Sequence, residues 1–549
     1  MHVTCDIIKD CHSHRRKSNV SILSLAFVLF VLALVVAYYA FGRIAPAAQW
    51  VVLLAGSLGF YALQGTPLTM VVLVAIALVT WLAALRLDRL DKVADARRRR
   101  TKDRTERKRI KQRYAVRRRV VLWGSLAVCV AILSYFKYWN VLLWYVRLAS
   151  DPTSLGILLP LGISFYTMQS MGYVIDAYNG TCDIERNFLR HLLFVSYFPQ
   201  IIQGPINKRS ALGSQLFAWN RLDVQNLRRG LLRSGYGMLK KVCVANVLGG
   251  TVSKLLASLE SPAMPGSLAA YAILLYSVQM YADFSGGIDM VEGVSELFGI
   301  RMAQNFRQPY FSTSLANFWQ RWHMSLGAWM RDYVFYPLAV TKPFRSLGKW
   351  GTKHLGKQVG RSLPACIANV VVFTIVGIWH GIEAHYVAWG LFNGLIIAFA
   401  DLLKPVFDKV ARALHINREW ALLHLFAIVR TFVVVNIGRY FDCIPDLGVA
   451  VSALQRTFVA FNAEGFGVAL STTGISYQAF CGVPPLVIAV CVFVFVVSVC
   501  YECGVDVREG IMRWWLVPRL ALYVIASAAI AVSFGLETVS GGTFLYANF

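Results

Sequence analysis

The run Ile22–Phe41 contains no charged side chain. A helix needs about 20 mostly apolar residues to cross the hydrocarbon of a bilayer, so this run alone is long enough. Met70–Leu85, Val120–Leu133, Leu268–Met280, Val370–Ile378 and Pro485–Val499 are further apolar runs, and Leu422–Val435 and Trp515–Phe534 each admit a single Arg. Where no water reaches, a chain must satisfy its own backbone polar groups, and segments of this composition do so as helices. The expectation is an all-α polytopic membrane protein with on the order of a dozen transmembrane and re-entrant helices. Composition agrees: 57% of residues are hydrophobic and 15% charged, against about 45–50% and 25% in soluble domains. The first run is too long for the core of a secretory signal and lacks a small-x-small cleavage site, so no cleavable leader is expected.

The net charge of +26 is concentrated in Arg97–Arg119, with fourteen Lys or Arg against Asp103 and Glu106. Nucleic-acid binding is one reading of such charge. Beside membrane spans the better reading is topological, because basic segments stay on the cytoplasmic side and meet anionic headgroups. The expected partner of this charge is therefore the lipid bilayer, with no nucleic acid. Three spans over residues 21–86 then place the N-terminus outside, against the pull of His14-Arg15-Arg16-Lys17. Residues 87–119 are read as a basic cytoplasmic loop, with partial helix as the alternative, and 341–364 as a basic, Gly-containing cytoplasmic loop. The segments divide as 1–20, a polar extension; 21–119, the N-terminal spans and basic loop; 120–440, a central core; and 441–549, the C-terminal spans and tail. The eleven cysteines are scattered, and Cys500-x-x-Cys503 lacks a second pair, so no disulfide framework or metal site is expected.

Pro160-Leu161-Gly162, Pro199 and Gly204-Pro205 interrupt hydrophobic stretches. Broken backbone at membrane depth survives only inside protein or along a cavity, which favours an enzyme or transporter over a simple anchor. Gln304–Leu338 is rich in aromatics and Arg, and Phe318, Trp322, Leu326 and Met330 recur at helical spacing, as do Trp319 and His323. That pattern predicts an amphipathic or half-inserted helix.

His380, in Gly377-Ile378-Trp379-His380-Gly381, directly follows an apolar run. A titratable side chain there is costly and points to function, and imidazole suits general-base work near neutral pH. The alternative is a neutral histidine bonded to a carbonyl or another helix. His323 is the second candidate, for acceptor orientation, carbonyl binding or proton transfer; otherwise it is an interfacial histidine among tryptophans. Asp283 and Ser285, followed by Asp289, interrupt another apolar segment, where Asp283 is expected to bind substrate or to pair with Arg321 or Arg331. His191, His385, His415 and His424 lack comparable context and are read as structural.

The stretches Asp283-Phe284-Ser285-Gly286, Asn305-Phe306-Arg307-Gln308-Pro309-Tyr310, Phe318-Trp319-Gln320-Arg321-Trp322-His323-Met324-Ser325-Leu326, Trp329-Met330-Arg331-Asp332-Tyr333 and Trp379-His380-Gly381 resemble the membrane-bound O-acyltransferase family in its bacterial branch. Weaker likeness extends over roughly residues 45–549 and includes Tyr135-Phe136-Lys137-Tyr138. The resemblance implies a ring of helices around a central tunnel, with a funnel to each side and a histidine at the constriction. His380 matches the family's essential histidine and His323 its second. Trp379, Asp283, Ser285, Asn317, Arg321, Trp322 and Arg331 are carried along as substrate-binding or supporting residues.

The ending Thr543-Phe544-Leu545-Tyr546-Ala547-Asn548-Phe549 is similar to that of the small peptide of teichoic acid D-alanylation. That likeness implies that Tyr546 holds the acyl group as an ester in transit; the alternative is a tyrosine anchoring the tail at the interface. Leu545 and Ala547 depart from the pattern. The expected activity is movement of an acyl group, acetyl or similar, across the membrane to an extracytoplasmic polysaccharide or cell-wall polymer. The donor would be acyl-CoA or an acyl-carrier-protein thioester, with no tightly bound cofactor. The expected partner is an extracytoplasmic transferase of the SGNH type or an accessory protein of the D-alanylation or alginate kind, and the expected location is the cell membrane. A lipid or polysaccharide transporter is the rival, since broken helices and buried charges suit it equally.

Overall fold

A computed structural model describes residues 22–145, 159–417, 420–463, 466–467 and 485–536. Among these residues the regular elements are helical, apart from an isolated bridge between Phe306 and Trp322. Nine described helices are long and apolar enough to cross a membrane. Three fall in the first hundred residues, within Leu25–Ile44, Pro46–Gln64 and Pro67–Arg100, and two close the described chain, Pro485–Glu502 and Leu516–Phe534. The all-α polytopic expectation holds.

The run Leu268–Met280 has a different role from the others. It opens the 32-residue helix Gly266–Leu297, which carries Asp283, Asp289, Glu292 and Glu296 and is buried along most of its length. Its surroundings are protein, and that is why it tolerates carboxylates a lipid-facing helix could not. It is the axial element against which other helices pack.

The basic segment 87–119 takes the helical alternative almost throughout, and 341–364 is helical where a loop was expected. Pro67–Arg100 and Arg104–Tyr145 are separated only by Thr101–Asp103. Asp103 makes this possible: its carboxylate accepts the N–H of Thr105 at 2.9 Å and of Glu106 at 3.2 Å, satisfying donors a helix start leaves open. Likewise, residues 341–364 form the helix Lys342–His354 and the first turns of Lys357–His380. Pro343 sits in the opening turn, where a missing N–H costs nothing. Gly360 is a contact point, since a Cβ there would lie 2.0 Å from the Thr352 nitrogen, whereas Gly356, at φ 86°, makes the turn between the two helices.

The helices Lys357–His380 and Ala384–Ala413 form a tight hairpin that carries His380 at its turn. Gly377 faces the carbonyl of Tyr386, and Gly390 that of Phe373, each 2.4 Å from where a Cβ would stand. Small residues at such positions let helix backbones approach in a membrane, where association rests on close packing.

The single helix expected over Gln304–Leu338 is broken. Leu315–Arg321 stops, Trp322 is extended, His323 adopts a left-handed backbone with φ 48°, and Met324–Met330 resumes. Phe318, Trp322, Leu326 and Met330 are nevertheless all buried. The spacing therefore identified the buried side chains correctly although the helix that would produce it is interrupted.

Candidate active site

A cavity of about 1030 Å³ lies inside the bundle and is lined by both His380 and His323. The histidines are 57 residues apart in sequence, and the fold brings them to one space. Trp319, Trp322, Trp389, Arg439 and Asp442 line it as well.

His380 is the last residue of its helix, and the helix end is held from outside. The Lys137 ammonium donates to the Trp379 carbonyl, and the Tyr138 hydroxyl donates to the Ile378 carbonyl at 2.8 Å. The last carbonyls of a helix have no internal partners and carry partial negative charge, so a cation and a hydroxyl there fix the terminus. Aromatic rings fix the imidazole: Trp389 meets it edge-on at 5.3 Å and Tyr386 stacks at 6.0 Å. The ring is half-buried, neither walled off from the cavity nor turned to lipid.

His323 is fully lodged in protein, and its tautomer can be read from its neighbours. Its Nδ1 lies 3.1 Å from Asn305 Oδ1. The same atom accepts the Ser325 backbone N–H at 3.0 Å and the Ser325 hydroxyl at 2.9 Å. A backbone N–H can only donate, so the Asn305 atom is an oxygen. His323 Nδ1 therefore carries a proton, and in the neutral ring the lone pair sits on Nε2. Phe284 packs edge-on against this ring at 4.9 Å.

The remaining expected residues divide. Trp322 lines the cavity, and Arg331 stands at its exposed rim with Lys208 and Arg301. Trp379 is buried behind the lining, 6.5 Å from the His323 ring and 4.8 Å from that of His380. Asp283 is paired, but with Lys241 rather than Arg321 or Arg331. Arg321 binds Glu502 at 2.8 Å, and Arg331 binds Asp332 at 3.0 Å. Ser285 accepts from Lys240 at 2.9 Å and donates to the Tyr281 carbonyl. The backbone N–H of Asn317 donates to Ser314 at a helix start, 3.1 Å away, and the residue lies outside the cavity lining. His191 touches Thr80 at 3.1 Å, and His385 donates to the Phe441 carbonyl at 2.9 Å, both packing roles. Tyr546 lies outside the described residues.

Sequence reasoning passed over Arg439 and Asp442. They form an ion pair of 2.6 Å, both under one-tenth exposed, and both face the cavity. The signal was available: a charged pair three residues apart at the end of an apolar run has a neutralising geometry on a helix.

The rim of the cavity is at the basic end of the molecule. Asp176 lines it. Two residues on, the Tyr178 carbonyl accepts from Arg118, in the basic hairpin.

These features define a multi-pass helical membrane protein with a histidine-lined cavity reached from its basic end. Residues 185–432 match the membrane-bound O-acyltransferase family. The chain is similar to the probable alginate O-acetylase AlgI of Pseudomonas aeruginosa, 34% identical over 61% of this chain and 60% of the relative. It is also similar to the peptidoglycan O-acetyltransferase of Helicobacter pylori, 26% identical over 78% of this chain and 82% of that protein. The teichoic acid D-alanyltransferase of Bacillus subtilis is 29% identical over 51% of this chain and 67% of that protein. The chain spans about 60% of the length of the alginate O-acetylases it matches.

Proposed function

We propose that this chain is a membrane O-acyltransferase that moves an acyl group from a thioester donor, acyl-CoA or an acylated carrier protein, to the hydroxyl of a polysaccharide or cell-wall polymer across the cell membrane. The observation that carries the proposal is the meeting of His380 and His323 in one cavity open at the basic rim. Basic segments mark the cytoplasmic side, where thioesters are made. The relatives' names supply the acceptor class.

In the reaction, an acceptor hydroxyl oxygen attacks the thioester carbonyl carbon while His380 takes its proton. The C–S bond then breaks, the sulfur leaves as a thiol with that proton, and an O-ester remains. His323, with Nε2 as lone-pair atom, orients the acceptor or relays the proton. Tyr546 serves as first acceptor, so that a phenyl ester carries the acyl group onward to an extracytoplasmic transferase of the SGNH type. Trp322, with Trp319 and Trp389, excludes water from the thioester; Trp379, Ser285, Asp283, Asn317 and Arg321 hold the surrounding helices.

The test is ester formation by membranes containing wild-type, His380→Ala and His323→Ala chains supplied with labelled acetyl-CoA or acyl-loaded carrier. General-base loss reduces turnover by about 10²–10⁴-fold. Full activity in His380→Ala would overturn the proposal. Passage of intact polymer that survives the substitution would favour the transporter.

A further inference from the structure

Buried arginines in a membrane bundle normally have all their donors engaged, because an unmet charged donor is costly away from water. Arg439 departs from this. It is 4% exposed. Its Nη1 donates to Asp442 at 2.6 Å. Its Nε and Nη2, both buried, make no hydrogen bond among the described residues. The Tyr310 hydroxyl is the neutral neighbour that acts on the guanidinium, by charge and as a loose hydrogen-bond partner, while it donates to the Ser277 carbonyl at 2.8 Å.

The guanidinium is held in place. Its carbon lies 4.8 Å from the centre of the Trp322 ring, and Trp322 immediately precedes His323. Asp442 is held in turn by the Tyr276 hydroxyl at 3.4 Å. Arg439, Asp442, His323 and His380 all line the same cavity.

We infer that Arg439 is the oxyanion-binding residue of this site, receiving the acyl carbonyl oxygen on Nε and Nη2. The inference rests on the acyl-transfer reading above. Asp442 cancels the formal charge, so a fully ionised ligand gains little there. What remains is a planar pair of fixed donors, suited to an oxygen that becomes negative only as the hydroxyl adds to the carbonyl. When the C–S bond breaks, the electron pair returns from that oxygen to the carbonyl and the donors are released. Arg439 neither gains nor loses a proton in the cycle.

The test uses the full-length chain in membranes, with thiol release followed from acetyl-CoA and from acyl-loaded carrier protein. Arg439→Met alone would strand the Asp442 carboxylate, so the variant is Arg439→Met with Asp442→Asn, which removes both charges. The expected result is a fall in kcat of about 10²–10³-fold, with KM for the donor within about threefold of wild type, since the contact forms fully only in the transition state. Arg439→Lys keeps the ion pair but loses the planar fork. It is expected to lose at least about tenfold in kcat with unchanged thermal unfolding, and it decides the matter should the double variant fail to reach the membrane. A kcat within threefold of wild type in whichever variant is recovered, or a loss confined to KM, overturns the inference. His380→Ala run alongside separates the cases: if it remains active, the acyl-transfer reading itself has failed.

Discussion

Asn305 offers a test of how the second histidine is set. One atom, Oδ1, accepts from His323 Nδ1, the Ser325 N–H and the Ser325 hydroxyl, at 3.1, 3.0 and 2.9 Å. Asn305→Ala removes all three bonds. The hydroxyl can rotate, but the imidazole N–H and the backbone N–H lose their buried acceptor, at about 1–3 kcal/mol each, or roughly 2–6 kcal/mol of stability. The tautomer loses its bias as well. A net hydrogen bond of about 0.5–1.5 kcal/mol corresponds to roughly a 2- to 12-fold change in the fraction of rings with the lone pair on Nε2. Loss of ring orientation adds to this. We expect kcat to fall about tenfold or more with KM for the donor nearly unchanged. Asn305→Asp keeps all three acceptor contacts. It exchanges Nδ2, which makes no hydrogen bond among the described residues, for a carboxylate oxygen whose buried charge costs stability but strengthens the bond to Nδ1–H, and should restore most of the rate. The assay is steady-state acyl transfer in membranes, with thermal unfolding in detergent as the stability measure. Alanine and aspartate variants that are equally slow, or an alanine variant that is destabilised but fully active, would refute the assignment of the tautomer to Asn305.

Other outcomes follow from the same geometry. Gly377→Ala places a Cβ 2.4 Å from the Tyr386 carbonyl oxygen. A shift of about 1 Å in the reacting geometry costs about 10²-fold, so acyl transfer should drop by that order, while Gly124→Ala, with nothing within 4 Å, leaves activity intact. Lys137→Met removes the cation from the carbonyl end beside His380; kcat should fall and Lys137→Arg should recover part of it, whereas no change would mean the helix end is held without it. Tyr546→Phe should abolish an acyl mass on the C-terminal peptide in mass spectrometry, and an unmodified wild-type peptide from active membranes would remove the carrier step. At the surface, hydrogen bonding to Arg229 holds the Glu509 carboxyl below its usual range. A depressed carboxyl contributes stability above its unfolded pKa of about 4.3 and loses it as pH falls through the folded value. Glu509→Gln should thus lower the unfolding temperature slightly at pH 7, by the equivalent of about 0.2–1 kcal/mol, with the difference disappearing once the pH has fallen below the folded-state value.

The spans were legible because lipid contact leaves a compositional mark on each segment, as in Leu25–Ile44. His380 was legible because a lone imidazole after an apolar run has few inexpensive explanations. What stayed hidden depends on contacts between distant segments. Asp283 looked available to Arg321 or Arg331, but which cation reaches it depends on how Gly266–Leu297 packs against Leu239–Asn246, where Lys241 lies. The basic stretch 341–364 read as a loop because its glycines resemble breaks; Gly356 is one, but Gly351 and Gly360 are where the backbones of Lys342–His354 and Lys357–His380 touch. The break at His323 was hidden for a further reason: local spacing there is helical, and the Trp322–Phe306 bridge beside the break folds the same stretch back on itself.

That break has a consequence for evolution and for engineering. A side chain at φ 48° occupies a conformation that costs a residue other than glycine about 1–2 kcal/mol. Glycine would relieve that cost and also remove the imidazole. But the buried ring is bonded to Asn305 and packed on Phe284, so His323→Gly would also open a cavity and strand that acceptor; neither selection nor engineering for stability alone gains by the exchange, and the strained turn and its imidazole have to be kept or lost together.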